Sequence, residues 1–303
     1  MASILLQLLP IFVYFALGVG IRRWGIADRG HADFLLRFVF FVSLPLLILS
    51  SVSAVEFTAD KAVLPLLNIG VNLGCFALTL LVGRLLKLER QALGTMLVCT
   101  TIVNNSFMFP FTLAVYGQEG FADAILWDFG NAIMMATFVY AMAFRYGGES
   151  QKGWAMLLRI MKAPLVWALA ISVALSLTRT PLPPLLLNVI DPLAAMMAPL
   201  ILIALGIHTT TKFSRLGLTL ATVGIRMGFG LLCGILLATL VGLEGTTFKV
   251  VALCSGAPIG FNALTLCSMT KLDTELGASS VSLSIMAGLV WIPVLILFLE
   301  AFF

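Results

Sequence analysis

The chain has 303 residues, of which 61% are hydrophobic and only 11% charged, with a formal net charge of +4 and a mean hydropathy of +1.10. A soluble domain carries about a quarter charged residues, so this chain lacks the polar surface to cover a globule and belongs in a bilayer. The small positive charge sits in loops and excludes a nucleic-acid-binding face. The 5 cysteines, all inside apolar runs, exclude a disulfide scaffold and read as small core residues.

A helix needs about 20 apolar residues to cross the hydrocarbon core. Reading between charges gives ten spans, at 4–21, 38–55, 62–83, 91–118, 124–144, 163–178, 192–211, 216–243, 250–270 and 276–299. The first lacks the basic flank and small-residue cleavage site of a signal peptide and reads as a retained helix. Asp128 is embedded in the fifth span and Arg226 in the eighth. The loops after odd-numbered spans hold 14 Lys and Arg, those after even-numbered spans 3. That bias predicts both termini outside and the loop 145–162 in the cytoplasm. This loop is also the longest break and divides the chain into 1–150 and 151–303, five spans each.

The halves repeat. At an offset of 154 residues Pro10 falls on Pro164, Pro45 on Pro199, Gly70 on Gly224, Gly74 on Gly228 and Glu119 on Asp273. Each half has an odd number of spans, so the second enters the membrane upside down. The sequence therefore predicts an all-α polytopic membrane protein of ten transmembrane helices in two inverted five-helix repeats, an architecture of secondary transporters.

In such folds the binding site lies near the midplane, on helices interrupted by Pro and Gly. The fourth span reads Thr100-Thr-Ile-Val-Asn-Asn-Ser-Phe-Met-Phe-Pro110 about its midpoint, and the ninth reads Cys254-Ser-Gly-Ala-Pro-Ile-Gly-Phe-Asn262. Proline removes an N–H and clashes with the carbonyl four residues back. The freed backbone groups must be buried against each other or line a wet cavity, and half-helix N-termini there favour an anion. The candidate substrate residues are Asn104, Asn105, Ser106 and Pro110 in the fourth span and Ser255, Pro258 and Asn262 in the ninth. Asn72, Asn131 and Arg226 come from mid-levels of their own spans. Arg226 either neutralises a carboxylate or tethers its helix to backbone carbonyls or Asp128. Asp128, shallower, is a candidate proton site or an outer-mouth residue. His208 reads as an interfacial residue. With His31 and His208 the only histidines, no His cluster binds a metal, and no cofactor is expected.

The chain resembles a bacterial member of the auxin efflux carrier family over essentially its whole length. The resemblance rests on Leu9-Pro-Ile-Phe with Ala16-Leu-Gly-Val-Gly-Ile-Arg-Arg-Trp-Gly-Ile26, on Arg37-Phe-Val-Phe-Phe-Val-Ser-Leu-Pro45, on Asn105-Ser-Phe-Met-Phe-Pro-Phe-Thr-Leu-Ala-Val-Tyr-Gly117 and on Ala257-Pro-Ile-Gly-Phe-Asn262. It implies a scaffold from helices 1, 2, 6 and 7, and a mobile transport domain from helices 3–5 and 8–10 that works in an elevator-like manner. It also implies a substrate site where helices 4 and 9 cross, with the family's proline there mapping onto Pro110 and Pro258. The long central hydrophilic loop of the plant carriers is missing, which argues against auxin itself; small carboxylates such as malonate suit the bacterial relatives. A homodimer in the bacterial inner membrane and H+ or Na+ as coupling ion complete the expectation. The rival on the same architecture is a sodium-coupled symporter of the bile-acid type; a membrane enzyme lacks the motifs it needs.

Overall fold

The computed structural model describes residues 2–53, 59–147, 164–209 and 213–302. Among them every regular element is helical. In chain order they are α1 (Ala2–Arg23), α2 (Arg29–Phe38), α3 (Leu44–Ser53), α4 (Ala59–Ala62), α5 (Leu64–Leu85), α6 (Arg90–Thr101), α7 (Asn105–Met134), α8 (Tyr140–Gly147), α9 (Pro164–Leu177), α10 (Pro184–Ala195), α11 (Met197–His208), α12 (Leu216–Val223), α13 (Gly230–Val241), α14 (Gly245–Ser255), α15 (Asn262–Met269) and α16 (Thr274–Phe302). Three π-helical stretches, Val39–Ser43, Met135–Val139 and Gly224–Phe229, join α2 to α3, α7 to α8 and α12 to α13. The boundary at 150/151 and the loop 145–162 beyond Gly147 lie outside the described residues.

Among the described residues seven helices are long and apolar enough to cross a membrane: Leu6–Arg23, Arg29–Ser53, Leu64–Leu85, Asn105–Gly147, Pro184–His208, Leu216–Val241 and Thr274–Phe302. The difference from the ten sequence-derived spans has local causes. The fourth and ninth are each divided partway. The second part of the fourth runs on into the fifth, interrupted only at Gly117, whose φ of 62° and ψ of −154° suit a glycine. The sixth reaches only Pro164–Leu177 within the described residues.

At two helix starts a charge rides on or caps the helix instead of marking a loop. The second span begins at Arg29, because Asp28 caps it: its Oδ1 accepts from the His31 N–H at 3.2 Å, and its own N–H donates to His31 Nδ1 at 3.3 Å. The bonds from His31 also hold the Asp28 carboxyl below the usual range. The seventh begins at Pro184, before the expected start at 192. Proline fits a first helical turn, and Asp191 is exposed on the helix rather than marking a loop.

Contacts divide the chain into two compact units. The first comprises Met1–Ala62, Ser106–Ile125 and Arg159–Thr209. In it α1 packs on α11 through glycines: a Cβ on Gly18 would collide with the Ile203 carbonyl oxygen, and one on Gly206 with that of Phe15. Small residues let two backbones approach where no hydrophobic force between helices exists. Arg22 then donates Nη1 to the carbonyls of Ile207 (2.7 Å) and Thr209 (2.5 Å), satisfying groups that the end of α11 leaves orphaned. Lys61, 6% exposed, pairs with Asp123 (3.0 Å) and Glu119 (3.3 Å).

The second unit comprises Val63–Asn105, Leu126–Leu158 and Thr210–Phe303. Gly70 and Gly74 of α5 lie against Leu237 and Cys233 of α13. Ala92, Met96 and Leu276 form a buried cluster backed by Leu218 and Ala221, which ties α6, α12 and α16 together. Arg215 reaches Asp273 at 3.2 Å, and Lys249 reaches Glu300 at 2.8 Å. None of the cysteines is joined in a disulfide, and all but half-buried Cys233 are buried.

The glycine contacts in the first unit generate a test. Gly206→Val should lower the unfolding temperature of the purified protein, since overpacking costs about 1–3 kcal/mol. Gly217→Ala, in a helix and where a Cβ meets no neighbour, should not lower it and should raise it slightly.

Candidate functional site

Two helix interruptions in the second unit bring the candidate residues together. The first is Ile102–Asn104, between α6 and the start of α7. Thr100, Thr101, Ile102 and Val103 are four consecutive β-branched residues, stiff at χ1 and weak helix formers, and asparagines follow them. Ile102 is extended, with φ −102° and ψ 118°. Pro110 does not make this break; it sits inside α7 and, with Ser106, groups with the other unit. The second interruption runs from Gly256 to Phe261, between α14 and α15, and here the proline, Pro258, does lie in the gap.

The interruptions hydrogen-bond to each other. The Asn104 N–H donates to the Pro258 carbonyl at 2.8 Å, and the Gly260 N–H donates to the Ile102 carbonyl at 3.0 Å. Val103 and Ile259 thus form an isolated antiparallel bridge. The outward-facing backbone groups find side chains. Val103 donates to Asn131 Oδ1 (3.3 Å) and accepts from Asn131 Nδ2 (3.4 Å), while Ile259 donates to Ser284 Oγ (3.1 Å). Gly260 is a glycine for want of room: a Cβ would sit 2.7 Å from Ile102 Cγ2 and 3.0 Å from the Val103 oxygen.

The C-terminal ends of α6 and α14 converge on Arg226, which is 0% exposed. Its Nη1 donates to the Thr100 carbonyl (3.2 Å) and to Asn72 Oδ1 (3.0 Å), and its Nη2 donates to the Ser255 carbonyl (2.7 Å). Both carbonyls lie in last turns, where an α-helix leaves carbonyls unsatisfied and carries a partial negative charge. Asn72 Nδ2 donates in turn to Asn68 Oδ1 at 2.7 Å. Arg226 thus meets two backbone carbonyls and the Asn72 amide oxygen rather than Asp128, and its Nε meets no acceptor among the described residues.

The N-terminal ends differ. Asn105, first residue of α7 and 2% exposed, donates Nδ2 to Asp128 Oδ1 at 2.6 Å, and its own Oδ1 meets no donor among the described residues. Asn131 Nδ2 donates to the same carboxylate oxygen at 3.0 Å. Asp128 is therefore beside the first break rather than apart from it. Asn262, first residue of α15, is exposed.

The structure gathers Asn72, Arg226 and Ser255 in one group and Asn104, Asn105, Asp128, Asn131 and Pro258 in another. Thr100, Asn68 and Ser284 complete the two groups and were not selected from sequence as site residues. The signal for Ser284 was present: Ser279, Ser280, Ser282 and Ser284 crowd one apolar helix, and all are buried. Among the described residues no three His, Cys, Asp or Glu side chains gather as a metal site.

Known proteins resemble this chain along its length. The model of the family described as "Membrane transport protein" matches residues 3–296. A protein of Methanothermobacter thermautotrophicus named only as an uncharacterized transporter is 24% identical over 290 residues, 94% of this chain and 95% of its own. A second uncharacterized transporter, from Methanocaldococcus jannaschii, is 23% identical over 283 residues, 90% of this chain and 91% of its own.

Two substitutions probe the geometry. Arg226→Leu strips donors from the Thr100 and Ser255 carbonyls and should cost on the order of 1–3 kcal/mol for each orphaned group; Arg226→Lys should recover part of it. Gly260→Val should separate the bridge. Both effects are read as a lower unfolding temperature and a reduced monodisperse fraction in detergent.

Proposed function

The chain belongs to the membrane transport protein family, that of the auxin efflux carriers, and on that premise we propose that it is a secondary active transporter or uniporter for a small organic anion, a carboxylate. It works by alternating access, elevator-like, in the bacterial inner membrane with both termini outside. Ten helices form two inverted repeats whose helices 4 and 9 cross, with helices 1, 2, 6 and 7 as scaffold and 3–5 and 8–10 as transport domain. The protein acts as a homodimer. The pairing of one interruption from each half supports the repeat. That the bonds joining the interruptions, Asn104 to Pro258 and Gly260 to Ile102, stay within one compact unit supports a site carried whole by a moving domain.

The observation that carries the reading is the division of labour at the interruptions. A helix end carries about half an elementary charge, positive at the N-terminus and negative at the C-terminus. Arg226 offsets the two C-terminal ends. The N-terminal ends at Asn105 and Asn262 together bring about one positive charge. Asp128, bonded to Asn105, balances that charge while ionised and leaves it free when protonated. An anion is therefore received best with Asp128 protonated, which makes H+ the coupling ion. Asn105 and Asn262 are the ligand side chains in this reading. Arg226, Asn72, Asn131 and Ser255 hold the frame.

Sodium coupling, as in a bile-acid-type symporter, is the second reading. It is favoured by the unpaired Asn105 Oδ1 next to the Asp128 carboxylate, two oxygens of the kind Na+ takes as ligands.

The test is a thermal-shift titration of purified protein with malonate and other mono- and dicarboxylates, with and without Na+, at two pH values. Ligand at 100 times Kd adds about 2.7 kcal/mol to stability. We expect stabilisation by a carboxylate, stronger at the lower pH, with a proton taken up. Asp128→Asn should remove the pH dependence, and Asn262→Ala, at an exposed side chain, should weaken binding about tenfold or more without changing the unliganded unfolding temperature. A Na+ requirement with no proton uptake selects the second reading. No carboxylate binding under any condition sinks both.

A further inference from the structure

Away from the interruptions, the second unit holds a cavity of about 370 Å³ between α5 and the segment running from Met135–Val139 into α8. Its walls are apolar: Phe76 and Leu80 on one side, Phe138 and Met142 on the other. The rings of Phe76 and Phe138 meet edge to face, with centroids 4.8 Å apart. Phe138 belongs to the π-helical stretch, whose extra residue per turn re-aims side chains relative to a regular helix. At one end the cavity is bounded by Arg84 and Arg145, each in the last turn of its helix and both exposed. Among the described residues neither meets a carboxylate within ion-pair distance. Arg90 adds a third positive charge, its guanidinium donating to the Arg145 carbonyl. Leu81 and Leu85, 55% and 72% exposed, continue the apolar surface of α5 beside it.

An open apolar slot bounded at one end by two arginines that meet no carboxylate among the described residues, on helices long enough to span a bilayer, is complementary to an amphiphile that is acidic at its head. We propose that it binds one anionic phospholipid, with the phosphate held by Arg84 and Arg145 and an acyl chain lying along Phe76, Leu80, Phe138 and Met142. Arginine suits this place because its planar fork of donors matches phosphate oxygens in two bonds. Basic pockets between membrane helices are a recurrent means of holding such headgroups. The site is independent of the transport reading, since none of its residues belongs to the interruptions.

The experiment is native mass spectrometry of the full chain, delipidated in detergent and titrated with phosphatidylglycerol, phosphatidylcholine or inorganic phosphate, with unfolding temperature followed in parallel. One phosphatidylglycerol should be retained per chain and raise the unfolding temperature; phosphatidylcholine and inorganic phosphate should do neither. Arg84→Gln and Arg145→Gln should each weaken retention about fivefold, the contribution of one cation near a membrane surface. Ala141→Trp, which fills the cavity from an exposed position and leaves both charges in place, should abolish it. Equal retention of phosphatidylcholine, an equal shift with inorganic phosphate alone, or unchanged retention in the arginine variants and in Ala141→Trp would each overturn the proposal.

Discussion

A polypeptide inside a bilayer must satisfy its backbone hydrogen bonds from its own atoms, because an unmet N–H or carbonyl there costs several kcal/mol. The arrangement of the second unit follows from how that constraint is met at two places where the helix stops. The two interruptions serve as partners for each other through Asn104–Pro258 and Gly260–Ile102. Side chains serve the groups that face away, Asn131 for Val103 and Ser284 for Ile259. Close approach of the strands explains Gly260, and the carbonyls of the last helical turns explain a buried arginine that no carboxylate accompanies.

That arginine shows how a full charge is kept in a dry place. A guanidinium at bilayer depth is unfavourable by roughly 2.5–3.5 kcal/mol on insertion scales. Here it meets two helix C-termini and an amide oxygen, which together supply charge of the opposite sign and three hydrogen bonds. Its work is internal, and past the same interruptions the next helices begin at Asn105, which Asp128 accompanies, and at Asn262.

Composition made the membrane class legible, and the Asn/Pro clusters made both interruptions legible to within a few residues. Less visible were the causes. Pro110 drew attention in the fourth span, yet the chain leaves the helix at the β-branched run before it, and periodicity does not register stiffness at χ1. The extent of α2 and α10 was hidden because charges were read as loop markers, whereas Asp28 caps a helix and Asp191 rides on one. Arg226 was recognised as buried and functional in level, but a single sequence carries no sign of which carbonyls it meets. Asp128 was read as shallow from its distance along a span, a measure that ignores the arm of Asn105 reaching across to it.

The amide of Asn131 has a bearing on rigidity. One nitrogen donates both to the Val103 carbonyl, at 3.4 Å, and to Asp128 Oδ1, at 3.0 Å. A charged acceptor draws a donor more strongly than a neutral one, and the shorter distance is to the carboxylate. An amide nitrogen carries two N–H groups, so it serves both acceptors at once, and the carboxylate helps to fix the plane in which the other N–H meets Val103. Were that charge removed, the stronger of the two anchors would weaken and the hold on Val103 would slacken with it. A backbone amide exchanging hydrogen with solvent at Asn104 would then report, as a clock, on a carboxyl group it never touches.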